Sequence, residues 1–221
     1  MIPTLMLGGS NAIAPVAGGG GGGGGNGAKW NSADKTANIT LSNADETASA
    51  NNSLFESVRA TYNTLNSSNG GKYYWEIEVD TLGDVSDMFV GVKAAGDTIT
   101  SNVTPLSGGH ALWRGNGQYF TGGGWSAGAS PAAYASGDVL MLALDVDNAK
   151  LFCGVNGTWN NSGDPAAGMN ASFTGMPTAT DYAPMLATDN VPGTVTATLV
   201  SDSALQTYAA PSGFTAGLPP P

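Results

Sequence analysis

Tyr73, Trp75, Ile77 and Val79 alternate with Tyr74, Glu76, Glu78 and Asp80. A period of two over eight residues fits a strand with one covered and one open face, and no helix satisfies it. Met88-Phe-Val-Gly-Val92, the run 138–144 and the run 150–155 are short and apolar, as interior strands are. Further strands are predicted at 39–41, 57–62 and 194–199. Asn156-Gly157 marks a type I′ hairpin turn, in which both central residues need positive φ, and Trp159 then begins the return strand. Helical periodicity is sustained nowhere. The pattern predicts an all-β chain folded as an antiparallel β-sandwich.

Composition narrows what such a sandwich can do. The 221 residues include 33 glycines, about twice the usual share, as short strands joined by many turns require. Seven basic side chains against 17 acidic ones leave a net charge of −10. Binding to nucleic acid through the protein's own field is thereby excluded, because neutralising phosphates takes clustered Lys and Arg. Charged residues make up only 11% of the chain, whereas 41% is hydrophobic with 5 Trp, 7 Tyr and 6 Phe, enough to fill a core. The single Cys153 closes no disulfide within the chain, and with the single His110 it makes no zinc site of the usual kinds.

Eight consecutive glycines at 18–25, followed by Asn26-Gly27, divide the chain. As a flexible linker they give an end-to-end distance of about 15 Å, and about 25 Å when extended. Ahead of them lies a peptide carrying Leu5, Met6, Leu7, Ile13 and Val16, too broken by Pro and Gly to form a core of its own. Residues 1–27 are therefore expected to be an extended apolar anchor peptide with its polyglycine tether, and residues 28–221 the sandwich. The start lacks the positive n-region of a secretory signal, and no run reaches the length of a membrane span. Synthesis in a cytoplasm without Sec export is expected.

Several segments, in order, resemble the SPRY (B30.2-like) domains. Gly71-Lys-Tyr-Tyr-Trp-Glu-Ile-Glu-Val79 resembles the strand that opens their core, and Phe89-Val-Gly-Val92 the strand that follows. Tyr134-Ala-Ser-Gly-Asp-Val-Leu-Met-Leu-Ala-Leu-Asp145 and Lys150-Leu-Phe-Cys-Gly-Val-Asn-Gly-Thr-Trp159 resemble the central strand and its hairpin. The segment 30–43 and the closing Tyr208-Ala-Ala-Pro-Ser-Gly-Phe214 are similar to phage-encoded members. The resemblance spans residues from about 28 to 216. It implies a concanavalin-type jelly roll that binds partners through loops at one end and performs no catalysis. In such a sandwich the strand at 139–144 is covered on both faces, and Trp75 and Trp159 fill the space between sheets. Cys153-Gly154 stands where a bulkier residue is common.

Residue chemistry, taken independently, yields no enzyme. His110 stands alone in a loop-like Ser107-Gly-Gly-His110 context without a nearby carboxylate, and a nucleophile needs a base. Glu76 and Glu78 lie on one side of a strand about 6–7 Å apart, close enough for a carboxylate pair, but are expected as the solvent-facing half of the alternation. The Asp145-Val-Asp147-Asn148 cluster reads as a β-turn rather than a calcium loop. Cys153 reads as a small buried hydrophobe. No cofactor and no metal are expected.

Recognition is the remaining chemistry. The segment 110–134 holds Trp113, Arg114, Tyr119, Phe120, Trp125 and Tyr134 among small residues, and aromatics with Gly and Ser give large contact area at low side-chain entropy cost. Arg114 and Trp125 lead as ligand-facing residues, with Trp113 and Tyr134 behind them. Against this, half of these rings are expected to alternate into the core, in the pairs Leu112-Trp113 and Tyr119-Phe120, and only Arg114 and Trp125 stand ahead of that reading.

The resemblance and the tether together lead to an expected bacteriophage virion surface protein: a capsid decoration, a head fibre or a tail-associated component. Its expected partners are other virion proteins, capsid or tail, through residues 1–25, and a host-surface glycan or protein at the loops. Self-association into a homo-oligomer is left open. A free intracellular SPRY adaptor that captures a short peptide is the competing expectation.

Overall fold

A computed structural model of the chain describes residues 26–51, 55–85, 87–99, 108–124, 126–128, 132–178, 180–189 and 193–220. The anchor residues Leu5, Met6, Leu7, Ile13 and Val16, and also Trp125, lie outside the described residues. Strands in the first part of the chain are β1 (Trp30–Lys35), β2 (Thr40–Ser42), β3 (Thr47–Asn51), β4 (Ser57–Ala60), β5 (Lys72–Leu82) and β6 (Met88–Ala94). Then come β7 (His110–Arg114), β8 (Tyr119–Gly122), β9 (Ser126–Ala127), β10 (Val139–Asp145) and β11 (Lys150–Val155). The last are β12 (Thr158–Trp159), β13 (Phe173–Thr174), β14 (Tyr182–Thr188), β15 (Thr194–Val200) and β16 (Thr215–Ala216). Among the described residues the only helical pieces are two short 3-10 turns, at Ser67–Asn69 and Asn160–Ser162.

The strands form two sheets. One has the order β1-β4-β14-β6-β7-β8, and the other runs β2-β3-β15-β5-β10-β11-β13-β9, with β12 added to β11 and β16 to β5. All pairings are antiparallel except that of β16, which runs parallel to the start of β5. The inward halves of the alternations meet between the sheets. Trp75, Ile77, Val90, Val92, Leu140, Leu142, Leu144, Leu151 and Leu186 are all fully buried there. Each aliphatic side chain taken out of water in this layer contributes about 2 kcal/mol. The predicted type I′ turn is present, with φ of 48° at Asn156 and 84° at Gly157 and Val155 paired to Thr158.

As expected, β10 is covered on both faces. Its Met141 and Ala143 join Tyr74, Phe152, Ala171 and Phe214 in a second cluster on the outside of the sheet. The cover is the C-terminal segment after β15, whose Tyr208, Ala210 and Phe214 pack onto that face. Two expectations are corrected by this strap. Trp159 does not fill the space between sheets: it pairs with Gly154, so it shares the outward face with Phe152, and its ring lies 6.3 Å from that of Tyr74. A Cβ on Gly154 would stand 2.6 Å from Met141 Cε and 3.1 Å from Trp159 Cε3, so the small residue makes room for the indole. Glu76, expected in solvent, is fully buried beneath the strap.

Candidate functional site

The domain has two unlike ends. At one, its first and last residues meet: Ala28 N–H donates to the Leu218 carbonyl at 3.0 Å, and Leu218 N–H to the Ser201 carbonyl at 2.7 Å. Asn26 N–H reaches the Asp202 carboxylate at 2.9 Å, so the residue that ends the glycine tether is fixed at this near end. The opposite, far end gathers residues 83–85, Asp87, 115–118, 135–138, Asn156, Gly157, Asp189 and Gly193. Gly83 N–H donates to the Thr194 carbonyl, Asp189 N–H to the Asp87 carbonyl and Gly115 N–H to the Met88 carbonyl, which ties three connections into one surface.

Side-chain carboxylates and amides shape these loops. Asp87 accepts from Asp84 N–H at 2.7 Å, and Asp138 from Ala135 N–H at 2.7 Å. Asn156 donates to the second oxygen of Asp138 while accepting from Val139 N–H. Such Asx-anchored turns hold loop backbones without regular pairing. Arg114 pairs with Asp189 across the β7–β14 side of this end, and its guanidinium lies 5.2 Å from the Phe89 ring centroid. The far end is therefore rich in acids, with Arg114 held inside it.

Of the residues expected to face a ligand, Arg114 does lie at this end, partly exposed, but its charge is engaged by Asp189 and its Nη1 donates to Gln118. Trp113 and Tyr134 are corrected: both are interior residues. Trp113 is fully buried and its indole N–H donates to the Ala132 carbonyl at 2.9 Å. The Tyr134 ring meets it edge-on with centroids 4.7 Å apart. Its hydroxyl donates to the Met88 carbonyl at 2.9 Å, with the Trp113 carbonyl at 3.1 Å. The reason is topological. Segment 110–134 runs from β7 and β8 in one sheet to β9 in the other, so it closes a side of the sandwich and its rings serve as the seal. Tyr119 does the same, its ring tilted against that of Phe173 with centroids 4.5 Å apart.

The groups with chemical potential elsewhere are spent on structure. His110, expected in a loop, lies in β7 and is fully buried. Burial, aided by the neighbouring Lys93 charge, pushes its pKa down to about 4, so it is neutral at pH 7. Its Nδ1 sits 3.0 Å from the Gly108 carbonyl. Glu76 accepts from the Tyr74 hydroxyl at 2.6 Å and from Thr207 and Tyr208 N–H at 2.8 Å each. Burial and that carboxylate together raise the Tyr74 phenol. Burial, then the Asp80 and Glu76 charges, raise Glu78. Asp145 is held by Lys72 at 3.1 Å and by Asn148, and burial raises the thiol of Cys153. Among the described residues no group of three or more His, Cys, Asp or Glu is placed to hold a metal ion, and no helix is long and apolar enough to cross a membrane.

Sequence reasoning did not find Asp84, Asp87 and Asp189. The first two sit in an unpatterned turn, and Asp189 is brought beside them only because β14 pairs with β6.

No protein-family model and no curated protein matches the chain. Among solved structures it is similar to the SPRY domain of human HERC1, with 14% identity and a TM-score of 0.58 over 80% of this chain and 99% of that one. It is also similar to another human SPRY domain, with 13% identity and a TM-score of 0.52 over 74% of this chain and 95% of that one. With its two antiparallel sheets and this likeness, the chain has the SPRY-type β-sandwich fold.

Proposed function

We propose that this chain is a non-enzymatic binding module displayed on a bacteriophage virion, fastened through residues 1–25 and presenting its far-end loops outward, with host-surface attachment as its task. The SPRY-type fold supports a protein-binding role, since SPRY domains are in general interaction modules. The observation that carries the reading is the meeting of Ala28, Ser201 and Leu218 at the near end. A tether leaving from Asn26 directs the loops at the other end away from whatever it is fastened to. The phage and virion part of the reading rests on the sequence resemblance of segments 30–43 and 208–214 and on the tether-plus-module layout. The absence of catalysis is supported by the structural engagement of Glu76 and the burial of His110.

Deleting residues 1–25 tests it. The expected result is a domain with an unchanged melting temperature that is no longer incorporated into particles. Incorporation of the deleted chain at the wild-type level would overturn the anchoring, and loss of folding would show the segment to be part of the sandwich instead.

A further inference from the structure

Resting on the reading of this chain as a binding module, we infer that its far end recognises a basic segment of a protein partner. A lysine or arginine side chain is taken beside Asp84, Asp87 and Asp189, with its aliphatic stem against Val85. The starting point is Asp87. It is only 2% exposed, and while one carboxylate oxygen takes Asp84 N–H, the other, Oδ1, has no hydrogen-bond partner. A buried carboxylate oxygen without a donor is an unfavourable arrangement that a charged donor relieves. Burial raises the Asp87 pKa most; the Asp84 N–H that it accepts lowers it, the charges of Asp84 and Asp189 raise it, and Arg114 lowers it. Three carboxylates, Asp84, Asp87 and Asp189, thus stand here against the single guanidinium of Arg114, which is paired with Asp189.

Two further features point to a cation with an apolar stem rather than a bare ion. Val85, between the two aspartates in sequence, is 44% exposed, one of three large apolar side chains so placed among the described residues. The walls beside the Asp87 carboxylate are glycines: a Cβ at Gly193 would collide with it, and one at Gly83 would stand 3.3 Å from it. The same end already holds one guanidinium in this manner, Arg114, with its charge on Asp189 and its plane near the Phe89 ring. An incoming arginine would meet the same combination of carboxylate and apolar surface.

Fluorescein-labelled hexa-arginine and hexalysine, with hexaglutamate as the comparison, can be titrated with the full chain by fluorescence anisotropy. In about 0.15 M salt the Debye length of about 8 Å confines the attraction to close contacts. Both cationic peptides are expected to bind and hexaglutamate is not. Asp84→Asn/Asp87→Asn should weaken the cationic peptides about tenfold, the loss of one charge-assisted contact. Asp147→Asn/Asp181→Asn removes two charges from the near end, Asp147 in the turn between β10 and β11 and Asp181 just before β14, bonded to Asn66. It should leave the cationic peptides within about twofold, as screening between the ends requires. If the first pair does not fold, the exposed single variants Asp84→Asn and Val85→Ser are read in its place, each expected to weaken binding. Equal losses from both pairs would reduce the effect to net charge and overturn the proposal, as would a wild-type chain that ignores both cationic peptides. A chain that attaches to particles as proposed above yet ignores them loses this inference alone, and the module reading stands.

Discussion

Gly91 and His110 show how much single residues of the first sheet are committed to packing. Gly91 lies mid-strand in β6 with φ of 155°, and a Cβ there would collide with the Ala111 carbonyl of β7. Gly91→Ala should destabilise the fold by about 3 kcal/mol or more, read from urea unfolding, because the two strands must part to admit one methyl. His110 makes a pH-dependent contribution. Its pKa falls from the ordinary 6.5 to about 4 on folding, so between those values the unfolded chain binds a proton that the folded one does not. Stability contributed by the neutral ring is therefore full above pH 6.5 and is lost as the pH falls towards 4, by about 3 kcal/mol. The difference in unfolding free energy between wild type and His110→Leu should change by that order across this window; a difference independent of pH would show the ring to be protonated or exposed. Neither role was legible in the sequence. Gly91 sat in a recognisable strand, but its tight neighbour is set by β7, which alternation did not reveal. His110 followed two glycines and read as a turn, when Gly108 and Gly109 in fact end the connection and the strand begins at the histidine.

Strands with strong alternation or apolar runs were the readable elements: β5, β6, β10, β11 and the Asn156-Gly157 hairpin match their predicted places within a residue or two. Others gave no pattern to read. β14 is fully buried along its length and contains Pro184, a residue that argues against a central strand. It is tolerated because pairing to β4 begins only at Met185, while Pro184 faces Val92 of β6. The strap from Ser201 to Leu218 was legible as a closing motif but not as a lid over β5 and β10, which is why Glu76 was placed in solvent. Its carboxylate binds three donors, two of them strap amides. Glu76→Gln puts an amide N–H₂ where acceptors are needed, and should cost about 2 kcal/mol. Limited proteolysis should then cut first within 203–213, ahead of the sandwich, and protection equal to wild type would mean that apolar packing of Phe214 and Tyr208 alone holds the strap.

At the level of the whole molecule, the sandwich class and the position of the core followed from sequence periodicity, and the candidate recognition surface did not. The aromatic segment that stood out by composition seals one side, because Trp113, Tyr119 and Tyr134 face the core between the sheets, while Phe120 packs against Phe89 on the outer face of the first sheet. The acids that line the far end come from turns separated by about a hundred residues, and their meeting is a property of strand order. The near end has a consequence of its own. Where a polypeptide enters and leaves a folded body side by side, that body can be grafted into a hairpin of an unrelated scaffold without stretching either junction. Spliced between Ala28 and Leu218 into such a host loop, the sandwich would behave as an exchangeable cassette, carried intact from one scaffold to another while its far-end loops are varied.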